Sequence, residues 1–169
     1  TSSAIYEDWK TTYVDVLLSP GPDATYRSDE EILQEMLRAL TTGLQFTDES
    51  RLGRPLGSFD RPRPRRAEAW RSGRSAHHVM LSLLSLHDLS SLLAAVDACL
   101  LQTLNSQFDT ALSNLEALDD PRFGGVTNPQ SRLKIEVIQQ AVGTLRTTVQ
   151  TDLGPTLGVA AGFNSLDGD

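Results

Sequence analysis

The chain has 169 residues, 39% hydrophobic and 22% charged, which is the size of one domain able to bury about 70% of its unfolded surface. Its longest apolar runs are only a few residues, as in 92–96, so no segment is expected to span a bilayer, and Thr1–Lys10 lacks the basic start and apolar stretch of a secretory signal. A net charge of −7 excludes nucleic acid as an expected partner, and the one cysteine, Cys99, excludes an intrachain disulfide and a cysteine-built zinc site.

Leucine dominates, with 26 Leu against 13 Ile plus Val, which favours helix over strand. In the first segment Ile5, Trp9, Tyr13 and Val16 recur at helical spacing, until Ser19-Pro20-Gly21-Pro22 stops the ladder. Ser28 caps a second helix, Glu31 completes a capping box, and Leu33, Met36 or Leu37, Leu40 and Leu44 form its stripe. From about Asp48 to Pro64 the glycines and prolines predict an ordered, arginine-rich connection.

That connection opens the most unusual stretch of the chain. Between Arg51 and Arg74 there are eight arginines against two acids, Asp60 and Glu68, a net of +6 in a chain that carries −13 elsewhere. None of the eight is lysine, and guanidinium forks make fixed bidentate contacts with carboxylates and phosphates. Two readings follow: an interface in which the arginines meet acids of the same fold or an adjoining domain, or a site for a phosphate, a carboxylate or an acidic polymer. Were the stretch helical, Glu68, Arg71 and Ser75 would share a face.

Helical periodicity returns with Val79, Met80, Leu83, Leu84 and His87. Asp88 then reads as the cap of a long helix carrying Leu89, Leu93, Val96, Leu100, Leu104, Phe108, Ala111, Leu115 and Leu118, ended by Asp119-Asp120-Pro121. Asn128 caps the last helix, Pro129 occupies its first turn, and Ile135, Ile138, Val142, Leu145, Val149 and Leu153 line it up to Gly154-Pro155. Five helical segments and no convincing strand predict an all-α, antiparallel up-and-down bundle with an ordered arginine-rich loop.

Catalytic signatures are missing. His77, His78 and His87 form no HxxxH, HExxH or Glu-x-x-His pattern, so His77 and His78 read as ordinary surface histidines and His87 as structural. Cys99 reads as a buried, inert thiol. No phosphate-cradling glycine loop occurs.

Three stretches taken together resemble the imelysin family of iron-regulated bacterial cell-envelope proteins, many of which carry a peptidase label. They are RLGRPLGSFDRPRPRRAEAWRSGRS (51–75), NPQSRLKIEVIQQAVGTLRTTVQTDLGPTLGV (128–159) and AGFNSLDGD (161–169). The resemblance implies that residues 1–169 are the C-terminal helical half of an imelysin-like domain, located in the periplasm or cell envelope. Its partner would be the N-terminal half or another copy of the chain. It implies a binding role in iron uptake, with a small anionic ligand, or iron or another divalent metal, held in the complete protein where the two halves meet. On this side of the cleft it places Glu68, Trp70, Arg71, Ser72, Arg74 and Ser75, with Asn164, Asp167 and Asp169. The family's Gly-x-His-x-x-Glu motif is absent: His77 would need glycine at Ser75 and glutamate at Met80, and His87 glycine at Ser85 and glutamate at Ser90. A metallopeptidase site is therefore not assigned to this chain by itself, and a purely structural interaction domain is the third reading.

Overall fold

A computed structural model describes residues 1–159, and every regular element among them is helical. We number five long helices: α1 (2–18), α2 (29–56), α3 (75–93), α4 (98–116) and α5 (129–156). α2 packs against α3 and α5, and α4 packs against the same two, so α2 to α5 close a four-helix ring. Consecutive helices lie side by side, which is the up-and-down bundle the periodicity predicts.

Local chemistry explains most of the boundaries. The Ser28 hydroxyl accepts from the Glu31 amide at 3.3 Å, and the Glu31 carboxylate accepts from the Arg27 amide at 2.6 Å, one residue ahead of the usual reciprocal bond. Asn128 accepts from the amides of Gln130 and Ser131, and Pro129 sits where its missing N–H costs nothing.

Two expected boundaries are corrected. Asp88 caps nothing; α3 runs through it to Leu93 and a 3₁₀ turn, Ala94–Val96, before Asp97 starts α4. The Asp97 carboxylate accepts from the amides of Cys99 and Leu100 at 2.9 and 3.0 Å, because its backbone is extended (φ −133°, ψ 105°) while Asp88 lies inside a helix. That break takes Val96 out of the buried stripe and leaves it 72% exposed. Likewise α2 does not stop near Asp48 but continues to Leu56 through a π-helical turn, Phe46–Gly53. The wider turn shifts the hydrogen-bond register, so Pro55 enters at the start of a new α turn and withholds no needed donor. Gly57, at φ +55°, ends the helix, and a Cβ there would stand 2.5 Å from the Arg61 carbonyl oxygen.

The core runs through the four-helix ring. Leu37, Leu40, Leu44, Leu52, Val79, Leu83, Leu104, Phe108, Ile135, Ile138, Val142, Leu145, Val149 and Leu153 are fully buried. Leu37, rather than Met36, takes the inward position on α2. Gly43 lets α3 approach, since a Cβ there would meet the Leu86 side chain at 2.5 Å. His87 is structural as expected: its Nε2 lies 2.8 Å from Asn105 Oδ1, and its ring stacks on Phe108.

α1 departs from expectation in its packing, not in its existence. Of its predicted apolar face Ile5 and Trp9 are 63% and 55% exposed while Tyr13 and Val16 are half-buried, Leu18 is exposed as well, and none of its residues joins the core. The Tyr13 and Tyr26 hydroxyls meet at 2.5 Å and tie it to the following turn. Cys99, expected to be buried, is exposed on the first turn of α4. One segment, Ser75–Val96, is after all long and apolar enough by length and composition to cross a membrane. Its contacts with α2 and α4 give it a place as a core helix of the bundle.

Candidate functional site

The arginine-rich connection between α2 and α3 is folded by its own sequence. Gly57 turns the chain out of α2, the Arg63 amide donates back to the Pro55 carbonyl at 2.9 Å, and Pro64–Arg66 form a 3₁₀ turn over buried Ala67. Ala69 and Gly73, both in the left-handed region, bracket a second 3₁₀ turn, Trp70–Ser72, which delivers the chain into α3 at Ser75. Residues 68–74 are thus not α-helical, and the shared helical face of Glu68, Arg71 and Ser75 does not form. Left-handed backbone at a non-glycine residue, Ala69, is the physical reason.

A residue that sequence reasoning passed over anchors this loop. Arg132, on α5 and only 7% exposed, donates from Nη1 to the Leu56 carbonyl at 2.6 Å and the Ser58 carbonyl at 3.4 Å. Its Nε donates to Glu136 at 2.7 Å, and Phe59 covers its guanidinium at 5.8 Å. The i, i+4 pairing with Glu136 was a legible signal; the reach to carbonyls more than seventy residues away was not. A second ion pair, Arg146 with Glu49 at 2.8 Å, joins α5 to the π turn of α2, where the Gln139 amide donates to the Asp48 carbonyl at 3.2 Å.

With Arg132 and Arg146 committed to structure, the loop arginines face outward. Arg61, Arg63, Arg65 and Arg66, spaced by Pro62 and Pro64, frame an open groove of about 480 Å³. Trp70 is flanked by two guanidiniums, Arg71 at 5.1 Å and Arg65 at 5.9 Å from its ring centre. Among the described residues Arg51 is the one arginine of the eight that meets a carboxylate within 4 Å.

That carboxylate is Glu68. It accepts from Arg51 Nε at 2.6 Å and lies 3.4 Å from His78 Nδ1, so it bridges the end of α2 to the start of α3. The Arg51 hydrogen bond holds its pKa below the ordinary glutamate value, outweighing its partial burial, with His78 adding in the same direction.

The predicted site residues therefore divide. Glu68, Trp70, Arg71 and Arg74 lie along one short stretch, the first in an ion pair and Arg71 on the indole. Ser72 spends its hydroxyl on the Ala69 carbonyl at 2.9 Å. Ser75 is buried at the start of α3, and its hydroxyl has no hydrogen-bond partner among the described residues. Asn164, Asp167 and Asp169 lie outside the described residues.

A metal does not fit what is described. No group of three or more His, Cys, Asp or Glu side chains converges among the described residues, and the exposed loop is a concentration of positive charge. Guanidiniums on an aromatic platform suit anions instead.

Comparison with known proteins identifies a family. No curated protein and no solved structure matches the chain. A family model described as Imelysin, peptidase M75, matches residues 1–149, ending before the 161–169 stretch that contributed to the resemblance. With that match spanning most of its length, the chain belongs to the imelysin family.

Proposed function

We propose that this chain is the C-terminal binding half of an imelysin-type protein of the periplasm or cell envelope. In this reading it serves iron acquisition by holding an anionic ligand where it meets an N-terminal half. The observation that carries the reading is the outward arginine surface at residues 61–74, in which Arg71 and Arg65 flank Trp70 without a carboxylate of their own among the described residues. Arg71 and Arg74 orient the anion, or a facing carboxylate of the partner half. The uncovered apolar face of α1, with Ile5, Tyr6, Trp9 and Leu18 exposed, supports a partner half packing there.

The test is equilibrium binding of ferric citrate, an anionic iron chelate, to the protein with both halves present. Replacing Arg71 and Arg74 together by alanine is expected to weaken binding at least about tenfold, as loss of two charge-assisted contacts should. Undiminished binding in that variant contradicts the assignment. A metallopeptidase, the other reading the family label supports, predicts stoichiometric zinc and peptide cleavage by the same preparation.

A further inference from the structure

A second concavity, sharing Arg66 with the groove, lies between the π turn of α2 and the arginine loop. Phe46, Ser50, Arg51, Arg54, Arg66 and Glu68 line a cavity of about 210 Å³. That is smaller than the roughly 300–1,000 Å³ of pockets for drug-sized ligands, so it selects a compact group.

Its charge selects further. Three guanidiniums against one carboxylate leave the lining at +2. Arg51 is already fixed, donating to Glu68 at 2.6 Å with its guanidinium 5.0 Å from the Phe46 ring centre. Arg54 and Arg66 are exposed and have no carboxylate within 4 Å among the described residues. The Ser50 hydroxyl adds a neutral donor to the same wall. The two free forks come from different elements, Arg54 from the end of α2 and Arg66 from the 3₁₀ turn of the loop. The Arg132 bonds to the carbonyls of Leu56 and Ser58 tie the end of α2 to α5, and the Arg63 amide, donating to the Pro55 carbonyl at 2.9 Å, holds the loop against that end.

We infer that this pocket binds a dianionic tetrahedral oxyanion, inorganic phosphate or a phosphate monoester, between Arg54 and Arg66, with Arg51 and Ser50 as supporting donors. Glu68 is the internal competitor: its carboxylate occupies Arg51 and limits how much negative charge the pocket accepts. The inference goes beyond the proposed junction surface, with which it shares Arg66 and Glu68 but neither Arg71 nor Arg74.

Calorimetric titration of the full chain with inorganic phosphate and with phenyl phosphate, at neutral pH and low ionic strength, tests it. Saturable one-site binding is expected, weakened at least about tenfold in Arg54→Ala/Arg66→Ala. Glu68→Gln is expected to tighten it. The Arg71→Ala/Arg74→Ala variant keeps full phosphate affinity if the pocket is as inferred, so failure here and failure of the junction site are told apart. Absence of saturable binding by the unaltered chain, or undiminished binding in Arg54→Ala/Arg66→Ala with an intact helical spectrum, overturns the inference. A parallel arm uses phosphatidic acid vesicles against phosphatidylcholine vesicles. Binding to the former that depends on Arg54 and Arg66 assigns the oxyanion to a lipid headgroup, whereas phosphate binding without vesicle binding assigns it to a soluble ligand.

Discussion

At the scale of single residues, two carboxylates on either side of the arginine system are perturbed in opposite directions. Burial raises the Asp48 pKa, outweighing the lowering by Gln139 and Arg146. Ionised Asp48 is thus less favourable in the folded chain than in the unfolded one, so its contribution is present below the ordinary aspartate value of about 3.9 and lost as pH rises through the folded value. Asp48→Asn is expected to raise the thermal midpoint at neutral pH and to change it little in strong acid. Glu68 has the reverse sign, because Arg51 favours its charged form. Its stabilisation is complete above about pH 4.3 and disappears as pH falls through its lowered folded value. Glu68→Gln is expected to lower the midpoint at neutral pH, by under about 1 kcal/mol for so exposed a pair, and to be silent in strong acid. Thermal melts across pH check both, and matching signs for the two variants contradict the account.

At the scale of elements, the outcome depended on how local each signal was. Ser28 and Asn128 were readable as caps because the side chain and the amides it accepts from lie within three residues. Asp88 and Asp97 offered the same residue type, and tertiary packing chose between them. His87 reaching Asn105, and Ser91 reaching the same Asn105 Oδ1 at 3.1 Å, fix α3 against α4 on either side of Asp88 and keep the helix running. Asp97→Ala is therefore expected to cost about 1 kcal/mol by chemical denaturation, while Asp88→Ala stays near neutral. Equal losses for the two would restore the earlier boundary. The end of α2 was hidden for a related reason: Gly53 and Pro55 are breakers in a regular ladder, and a π turn absorbs them. In the candidate site, the charge of the loop was plain in the sequence. Its anchoring by Arg132 was not, because a long-range side-chain bond to a carbonyl leaves no periodic trace.

For the molecule as a whole, the core belongs to α2–α5 and to a few residues of the connections between them, such as Ala67, Phe123 and Val126, and α1 stands apart from it. Because no residue of α1 is in the core, deleting residues 1–18 is expected to leave the unfolding midpoint almost unchanged. The same deletion removes exposed Ile5, Tyr6, Trp9 and Leu18, so sedimentation analysis should show less self-association at high concentration. A large fall in the midpoint contradicts the description of α1 as lying outside the core. The distribution of charge follows the same division of labour. Buried or paired arginines, Arg132 and Arg146, hold the bundle together, whereas those of the loop at residues 61–74 are exposed and meet no carboxylate among the described residues.

That division requires the loop to be held in place by α5. Amide hydrogen exchange in Arg132→Met examines this requirement most directly, since methionine keeps much of the side chain's volume and removes its three bonds. The account predicts that the amides of Gly57, Arg63 and Ala67, which bond the carbonyls of Gly53, Pro55 and Pro64, lose protection while those of α4 and the middle of α5 keep it. Unchanged protection throughout the loop would contradict it.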